Sequence, residues 1–200
     1  MKRNAYFVND TRRRRAFYIA LVRSQFENCS IIWRPTTQSL TQKIESLQKR
    51  ALKWILSEEN HSYSSWPTYV SKCRQVKLLP MSARFELNDF LFLHKVIYNH
   101  IPVVLPVYLS FFQGQSRLRR SHLDNLSLVS SITPHSDNNT FANSFYYRTH
   151  CNWNRLPYNI REIVDHQQFK TKLTDHLWKD LMTDLEGGIE DEYDLMLDNG

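Results

Sequence analysis

The feature that most constrains the fold is a run of apolar residues at helical spacing. Between residues 40 and 55 these residues alternate at steps of four and three, which places them on one face of an α-helix. The seam consists of Leu40, Ile44, Leu47, Ala51, Trp54 and Ile55. The opposite face is expected to carry Lys43, Glu45, Lys49, Arg50 and Lys53. The segment is therefore predicted to be an amphipathic surface helix.

The same three- and four-residue spacing recurs elsewhere and is interrupted by prolines. Pro35, Pro80 and Pro102 are expected to mark helix ends or starts, since proline is disfavoured within a helix. Apolar spacing predicts further helices over 16–33, near 67–73, over 81–99, over 141–153 and over 163–182. The segment 81–99 is apolar around much of its circumference, so it is predicted to be the most buried element.

The helical period fails between about residue 111 and residue 140. Gly114 and the run SRLRRSHLDN indicate extended segments with turns and a small hairpin. The predicted fold class is therefore mainly α, a helical bundle with a short irregular or β-hairpin segment and a C-terminal helical extension. The predicted parts are a flexible basic N-terminus, a helical domain, an irregular basic linker, the extension and a disordered acidic tail, over 1–15, 16–112, 113–140, 141–182 and 183–200.

The charge of the chain is unevenly distributed. All 26 Lys and Arg lie at or before Lys179, whereas eight of the 20 acidic residues follow it, so residues 1–179 carry about +14. A basic body favours a polyanionic partner such as nucleic acid or an anionic membrane surface. The alternative is that the charge serves solubility alone. The acidic end is predicted to be solvated, with folding over the basic helix as the alternative.

Cysteine usage and hydropathy bear on the compartment of the protein, on metal binding and on a membrane partner. The three cysteines are odd in number and far apart, which predicts a reducing intracellular compartment, with a nuclear location left open. Cys29 and Cys73 are expected to behave as small buried apolar residues. No metal site is predicted, because no second ligand pair accompanies His150–Cys151 at zinc-finger spacing. No run approaches the length of a membrane span, so no membrane partner is expected.

Several short motifs occur in a fixed order along the chain. The first two stretches contain Val22-Arg23-Ser24, Phe26-Glu27, Ser30, Trp33-x-Pro35, Ile44-Glu45, Gln48 and Arg50. The middle contains Ser62-Tyr63, Leu79-Pro80, Arg84, Asp89-Phe90-Leu91 and Lys95-Val96-Ile97. The last part contains Arg117, Arg120 to His122, Phe145, Arg148, Trp153-Asn154, Leu156-Pro157, Phe169-Lys170 and Leu173.

In this order and over roughly residues 16–178, the motifs resemble the region after the catalytic palm of non-LTR (LINE-like, jockey-type) retrotransposon reverse transcriptases. Trp66-Pro67 departs from the family, which usually has a charged helix with an arginine there. The resemblance implies a thumb that closes on a primer–template duplex, followed by a helical extension that helps to hold RNA.

The resemblance does not imply catalysis by this chain. Polymerase chemistry needs two carboxylates that hold divalent metal at the transferred phosphate, and the sequence contains no Asp-Asp pair. Nor does it contain the preceding 200 or so residues in which fingers and palm would lie. We therefore expect a non-enzymatic fragment without catalytic residues, metal, cofactor or small-molecule substrate. The alternatives are a structural or interaction module, self-associating through an uncovered apolar surface, and an expressed relic without a selected function.

The expected remaining property is weak, non-specific binding to RNA or DNA. The candidate contacts are basic residues on the amphipathic helix and on the irregular linker, namely Lys43, Lys49, Arg50, Lys53, Arg117, Arg119 and Arg120. A solvated polar face is the simpler reading of the helical group. The run Arg12 to Arg15 is read as a nucleic-acid arm, a nuclear localisation signal or residual sequence without a role.

Other polar and aromatic residues are expected to be structural. Arg23 and Glu27 are predicted to pair across one helical turn. His94 is predicted to be a satisfied core residue. Asn154 is expected to bind backbone at the Leu156–Pro157 turn. Base stacking is the less favoured reading of the aromatic residues Trp33, Tyr146, Tyr147 and Trp153, which lie in apolar seams.

Overall fold

The computed structural model describes residues 8–57, 66–113, 124–133 and 139–186. These residues are mainly helical, and two short strands form an antiparallel hairpin, so the predicted fold class is confirmed. The chain divides into two compact units, Met1–Glu86 with His176–Gly200 and Leu87–Asp175. The five-part division predicted from composition stays a prediction.

The first unit is built mainly from helices in the first half of the chain. They are α1 (Thr11–Tyr18), a π-helical turn (Ile19–Arg23), α2 (Ser24–Glu27), α3 (Ser30–Trp33), α4 (Gln38–Ile55), α5 (Trp66–Gln75) and the start of α6 (Met81–Ile97). The end of α10 (His166–Glu186) belongs to the same unit. Its core includes Tyr18, Leu52, Ile55, Tyr69 and Val70, all of them nearly or fully buried.

The first predicted helix differs from expectation at both ends. It begins at Thr11 instead of Ala16, because the side chain of Asp10 accepts a hydrogen bond from Arg13 N at 3.1 Å and caps it. It is not continuous to Trp33, because Asn28 is extended and Cys29 is left-handed at φ 52°. Cys29 is exposed at this break, so its expected burial is wrong, whereas Cys73 is buried as predicted.

Among the described residues, α4, α5 and α6 are each followed closely by a residue with positive φ that is not glycine. Ser57 follows α4, Lys77 follows α5 and Asn99 follows α6, all with φ between 54° and 58°. After α5, Leu78 N donates to Cys73 O at 2.9 Å, and after α6, His100 N donates to Lys95 O at 2.8 Å. These bonds satisfy terminal carbonyls and offset the steric cost of the left-handed conformation.

The second unit contains the hairpin and the later helices. Its elements are the rest of α6, β1 (Leu109–Phe111), β2 (Leu128–Ser130), α7 (Asn139–Ala142), α8 (Phe145–Trp153), α9 (Tyr158–Arg161) and the first part of α10. In the hairpin, Leu109 pairs with Ser130 and Phe111 with Leu128. The rings of Phe90 and Phe169 lie 6.5 Å and 5.9 Å from that of Trp153 in the buried centre.

Candidate nucleic-acid interface

The buried seam predicted for helix α4 is confirmed at Ala51, Trp54 and Ile55, but two other positions differ from the prediction. Leu40, placed in the buried seam, is 51% exposed, whereas Glu45, placed on the polar face, is only 6% exposed. Gln48 is fully buried as well. The prediction for Leu40, in the first turn of α4, was wrong. The prediction for Glu45 was wrong because helical periodicity treats a carboxylate as a surface residue and takes no account of its buried hydrogen-bond partners.

The four predicted basic residues of α4 fall into two groups. Lys43 and Arg50 are exposed, whereas Lys49 and Lys53 are half-buried and have partners within the fold. The ammonium of Lys49 lies 5.3 Å from the ring centroid of Tyr69, a distance that permits a cation–π contact. Lys43 and Arg50 are seven residues apart, so they share one side of the helix at a separation of about 10 Å along its axis. The arginines predicted on the linker, Arg117, Arg119 and Arg120, lie outside the described residues.

An apolar cavity of about 510 Å³ adjoins the basic residues. Its lining combines apolar and aromatic side chains with two cations, and consists of Tyr18, Val22, Leu47, Arg50, Ala51, Lys53 and Trp54. All of these residues belong to the first unit. The cavity thus joins an apolar floor to positive charge, a combination suited to a ligand that is both apolar and acidic.

A chain of buried hydrogen bonds lies behind the basic face of α4. Tyr18 Oη donates to Gln48 Oε1 at 3.1 Å, and Gln48 Nε2 donates to Tyr69 Oη at 3.0 Å. Tyr69 Oη donates in turn to Glu45 Oε2. Burial, followed by the charge of Glu45, raises the pKa of Tyr69 well above its usual value, so the phenol stays protonated as a donor.

Glu45 completes this chain by capping another helix. Its carboxylate accepts hydrogen bonds from Met81 N at 3.1 Å and from Ser82 N at 2.8 Å, at the start of α6. A negative charge is favourable there because the first amides of a helix lack partners and carry partial positive charge. We call the set Tyr18, Glu45, Gln48 and Tyr69 the Glu45 network.

A second set of polar contacts holds the turn that precedes α6. The carbonyl of Leu79 accepts hydrogen bonds from Gln48 Nε2 at 3.0 Å and from the buried Arg23 at 3.3 Å. Arg23 also pairs with Glu27 at 2.7 Å, which confirms the predicted pair, and Arg84 binds both oxygens of Glu27. Burial raises the pKa of Glu27, but the hydrogen bonds and charges of Arg84 and Arg23 outweigh it, so the net pKa is lowered.

Part of the Arg12 to Arg15 run is also structural. Arg14 donates to Val8 O at 2.6 Å and to Trp54 O at 2.9 Å, at the end of α4. Arg15 donates to Val76 O at 2.7 Å, just after α5. Both guanidinium groups bind carbonyls at helix ends, where positive charge is favourable. Arg12 and Arg13 are exposed.

In the second unit, Asn154 and Arg161 fix the hairpin. The side-chain amide of Asn154 accepts from Leu128 N at 2.8 Å and donates to Leu128 O at 2.7 Å. The backbone partner predicted at the Leu156–Pro157 turn is therefore wrong, because the edge of β2 offers both a donor and an acceptor. Trp153 is buried, and its indole N–H donates to Leu126 O at 3.0 Å.

Arg161 is almost fully buried and organises the turn before β2. Its guanidinium pairs with Asp124 at 2.5 Å and donates to Leu156 O at 2.9 Å and to Ser127 Oγ at 3.1 Å. Burial raises the pKa of Asp124, but the hydrogen bond and charge of Arg161 lower it by more. We call the set Asp124, Ser127, Asn154 and Arg161 the Arg161 network.

Three histidines of the second unit lie close together. His94 is fully buried, its Nε2 lies 2.7 Å from Ile163 O and its Nδ1 lies 3.4 Å from His166 Nδ1. His100 stacks beside His94 at 5.6 Å between ring centroids. Burial lowers the pKa of His94 to about 4, so the ring is neutral, and the predicted satisfied core residue is confirmed.

Three findings bear on the class of protein. Within residues 8–57, 66–113, 124–133 and 139–186, no group of three or more His, Cys, Asp or Glu side chains is placed to hold a metal ion. No helix in that part of the chain is long and apolar enough to cross a lipid bilayer. No protein-family model matches the chain, and neither does any curated protein or solved structure.

Proposed function

We propose that this chain is a non-catalytic fragment of a retrotransposon reverse transcriptase, corresponding to its thumb and C-terminal extension, and that it binds RNA or DNA weakly through α4. The observation that carries the binding proposal is the exposure of Lys43 and Arg50 on one side of that helix. Such a surface binds the phosphate backbone and does not recognise the base sequence.

The roles of the motif residues support the proposed family. Residues from separate pieces of the chain meet around one turn, since Arg23, Glu45 and Gln48 all reach the segment Leu79 to Ser82. In the later part, Arg148 pairs with Asp89 at 3.2 Å, and Asn154 holds β2. Motif residues that hold the fold in this way fit a thumb scaffold whose chemistry would be carried out elsewhere in a polymerase.

The spacing of the cations on α4 determines how strongly the affinity for nucleic acid should depend on salt. Lys43 and Arg50, the two exposed cations, lie about 10 Å apart along the helix, enough to meet roughly two phosphates of one strand. Releasing that many counterions gives a slope of about −1.8 between log affinity and log salt. Affinity is therefore expected to fall roughly 12-fold between about 50 and about 200 mM salt.

Filter binding with a short RNA–DNA hybrid and with single-stranded RNA tests the proposal. Binding at low salt that weakens by about this factor supports it. Absence of binding at about 50 mM salt, or binding indifferent to salt, contradicts it. Primer extension with magnesium tests the second half of the proposal, because any extension by the purified chain would contradict a non-catalytic fragment.

Exposed apolar side chains favour a second candidate, a structural module that binds another protein surface. Ile32 and Val104 are each 84% exposed, and Leu21 is 59% exposed. Exposed apolar residues in larger groups mark interaction surfaces. Size-exclusion chromatography with light scattering separates the two candidates, because a concentration-dependent dimer without affinity for nucleic acid would favour the module.

A further inference from the structure

We propose that the acidic segment 187–200 docks into the cavity beside α4 and shields its basic face. The cavity pairs an apolar lining with Arg50 and Lys53, so its natural occupant is apolar and negatively charged. A nucleic-acid backbone supplies the charge without the apolar groups. The floor formed by Val22, Leu47 and Trp54 is therefore unexplained by the proposed function alone.

The segment 187–200 has the matching composition. It carries five acidic residues and has no Lys or Arg, and its apolar residues are Ile189, Tyr193, Leu195, Met196 and Leu197. Ile189, Tyr193 and Met196 follow one another at steps of four and three. Apolar residues with acidic residues between them match a cavity that is lined by apolar groups and two cations.

Helix α10 packs on the same core cluster that borders the cavity. Trp178, Leu181 and Met182 pack against the core cluster that contains Tyr18 and Trp54, which also line the cavity. Helix α10 ends at Glu186, only about one helical turn beyond Met182. The 14 residues that follow can extend to roughly 46 Å, so reach does not limit docking. Being tethered to the same unit also gives them a high effective concentration at the cavity.

Docking would cover Arg50, one of the two exposed cations of the proposed nucleic-acid surface. Five carboxylates placed there would also repel phosphate groups. The segment is therefore expected to lower the affinity for RNA, an effect that rests on the proposed function. The docking itself does not depend on that function, so the two are tested separately.

Photocrosslinking in the full chain tests the docking. A Tyr193→p-benzoylphenylalanine variant is irradiated at low concentration, and adducts are mapped by mass spectrometry. The expected result is an intramolecular adduct within residues 18–22 or 47–54. Arg50→Glu is expected to reduce its yield roughly fivefold, whereas Arg74→Glu, which makes the same charge change on the exposed face of α5, leaves it unchanged.

Three results would overturn the inference: adducts only between two chains, adducts only outside the two segments, or a yield insensitive to Arg50→Glu. A second measurement uses the full chain with Glu190, Asp191, Glu192, Asp194 and Asp198 changed to the corresponding amides. Its affinity for RNA should rise roughly fivefold or more at about 50 mM salt. Unchanged affinity contradicts the shielding. If no variant binds RNA, the proposed function fails, and the adduct map still decides whether the segment docks.

Discussion

The Glu45 network and the Arg161 network each hold a turn in place, but they do so with different chemical groups. Each fixes a turn before a secondary-structure element, the first at α6 and the second at β2. The first uses a buried carboxylate whose described partners are amides and a phenol. The second uses a buried guanidinium paired with a carboxylate that is 30% exposed. Water can therefore reach the Asp124 carboxylate if its partner is lost, whereas Tyr69 and Met81, which bind Glu45, are buried.

The largest expected effect of a single substitution is at Glu45. Glu45→Ala leaves Met81 N, Ser82 N and the Tyr69 hydroxyl without their acceptor in a buried place, so the free energy of unfolding should fall by about 3 to 5 kcal/mol. Lys43→Ala on the exposed side of the same helix is the control and should change it by less than about 0.5 kcal/mol. Urea unfolding measures both, and a loss below about 1 kcal/mol at Glu45 would mean that the cap is not needed.

Arg161→Ala should have a smaller but still large effect. It removes the hydrogen bonds to Asp124, Ser127 Oγ and Leu156 O, yet the carboxylate left behind can take up water, so we expect a loss of about 2 to 3 kcal/mol. Arg155→Ala, an exposed arginine six residues earlier, is the matched control. If Arg161→Ala proved more destabilising than Glu45→Ala, the contrast between the two networks would be reversed.

Asn154→Ala tests how locally the second network acts. The buried amide of Leu128 loses its acceptor, so we expect a loss of about 1 to 2 kcal/mol and faster hydrogen exchange at Leu128 N. Asn152→Ala, two residues earlier within α8, is the comparison, with little expected change in either quantity. Exchange at Leu128 that stays as slow as in the unaltered chain would show that Asn154 does not hold the strand.

The histidine cluster should add a smaller dependence on pH. The folded pKa of His94, about 4, lies below its value of about 6.5 in the unfolded chain, so acid favours unfolding and the contribution is complete above about pH 7. The contribution of His94 to the free energy of unfolding should fall by about 1 kcal/mol from pH 6 to pH 5. His166 and His100 oppose protonation of His94, whereas Asp165 favours it.

The comparison of His94→Gln with the unaltered chain at both pH values isolates this contribution. The variant should lose less stability between pH 6 and pH 5, since the other histidines are common to both proteins. An equal loss would indicate that the ring of His94 is not kept neutral by burial.

Apolar periodicity predicted the helices better than it predicted the hydrogen-bond partners of their side chains. The helices α4, α5 and α6 were predicted close to their observed bounds because apolar spacing and prolines report local structure. The burial of Glu45 was missed because its partners, Met81 N and Ser82 N, lie 36 and 37 residues away in the sequence. The nearby sequence gave one indication of this burial: Glu45 lies next to the apolar seam, three residues before Gln48.

The candidate surface was predicted in part for the same reason. Lys43 and Arg50 are exposed as expected from the pattern, because charge on a helix face is a local property. The cavity could not be predicted, since Tyr18 and Val22 meet Leu47 and Trp54 only through folding. The helix break at Asn28 and Cys29 was also not predicted, because neither glycine nor proline lies at these positions.

The most direct test of the account compares two charge reversals in RNA binding. Lys43→Glu with Arg50→Glu changes the proposed surface of α4, whereas Arg12→Glu with Arg13→Glu changes two exposed arginines of α1. The account predicts that the α4 pair lowers affinity at about 50 mM salt by at least tenfold and reduces the salt slope by about two, with a smaller effect of the α1 pair. Equal effects, or a larger effect of the α1 pair, would contradict α4 as the nucleic-acid surface.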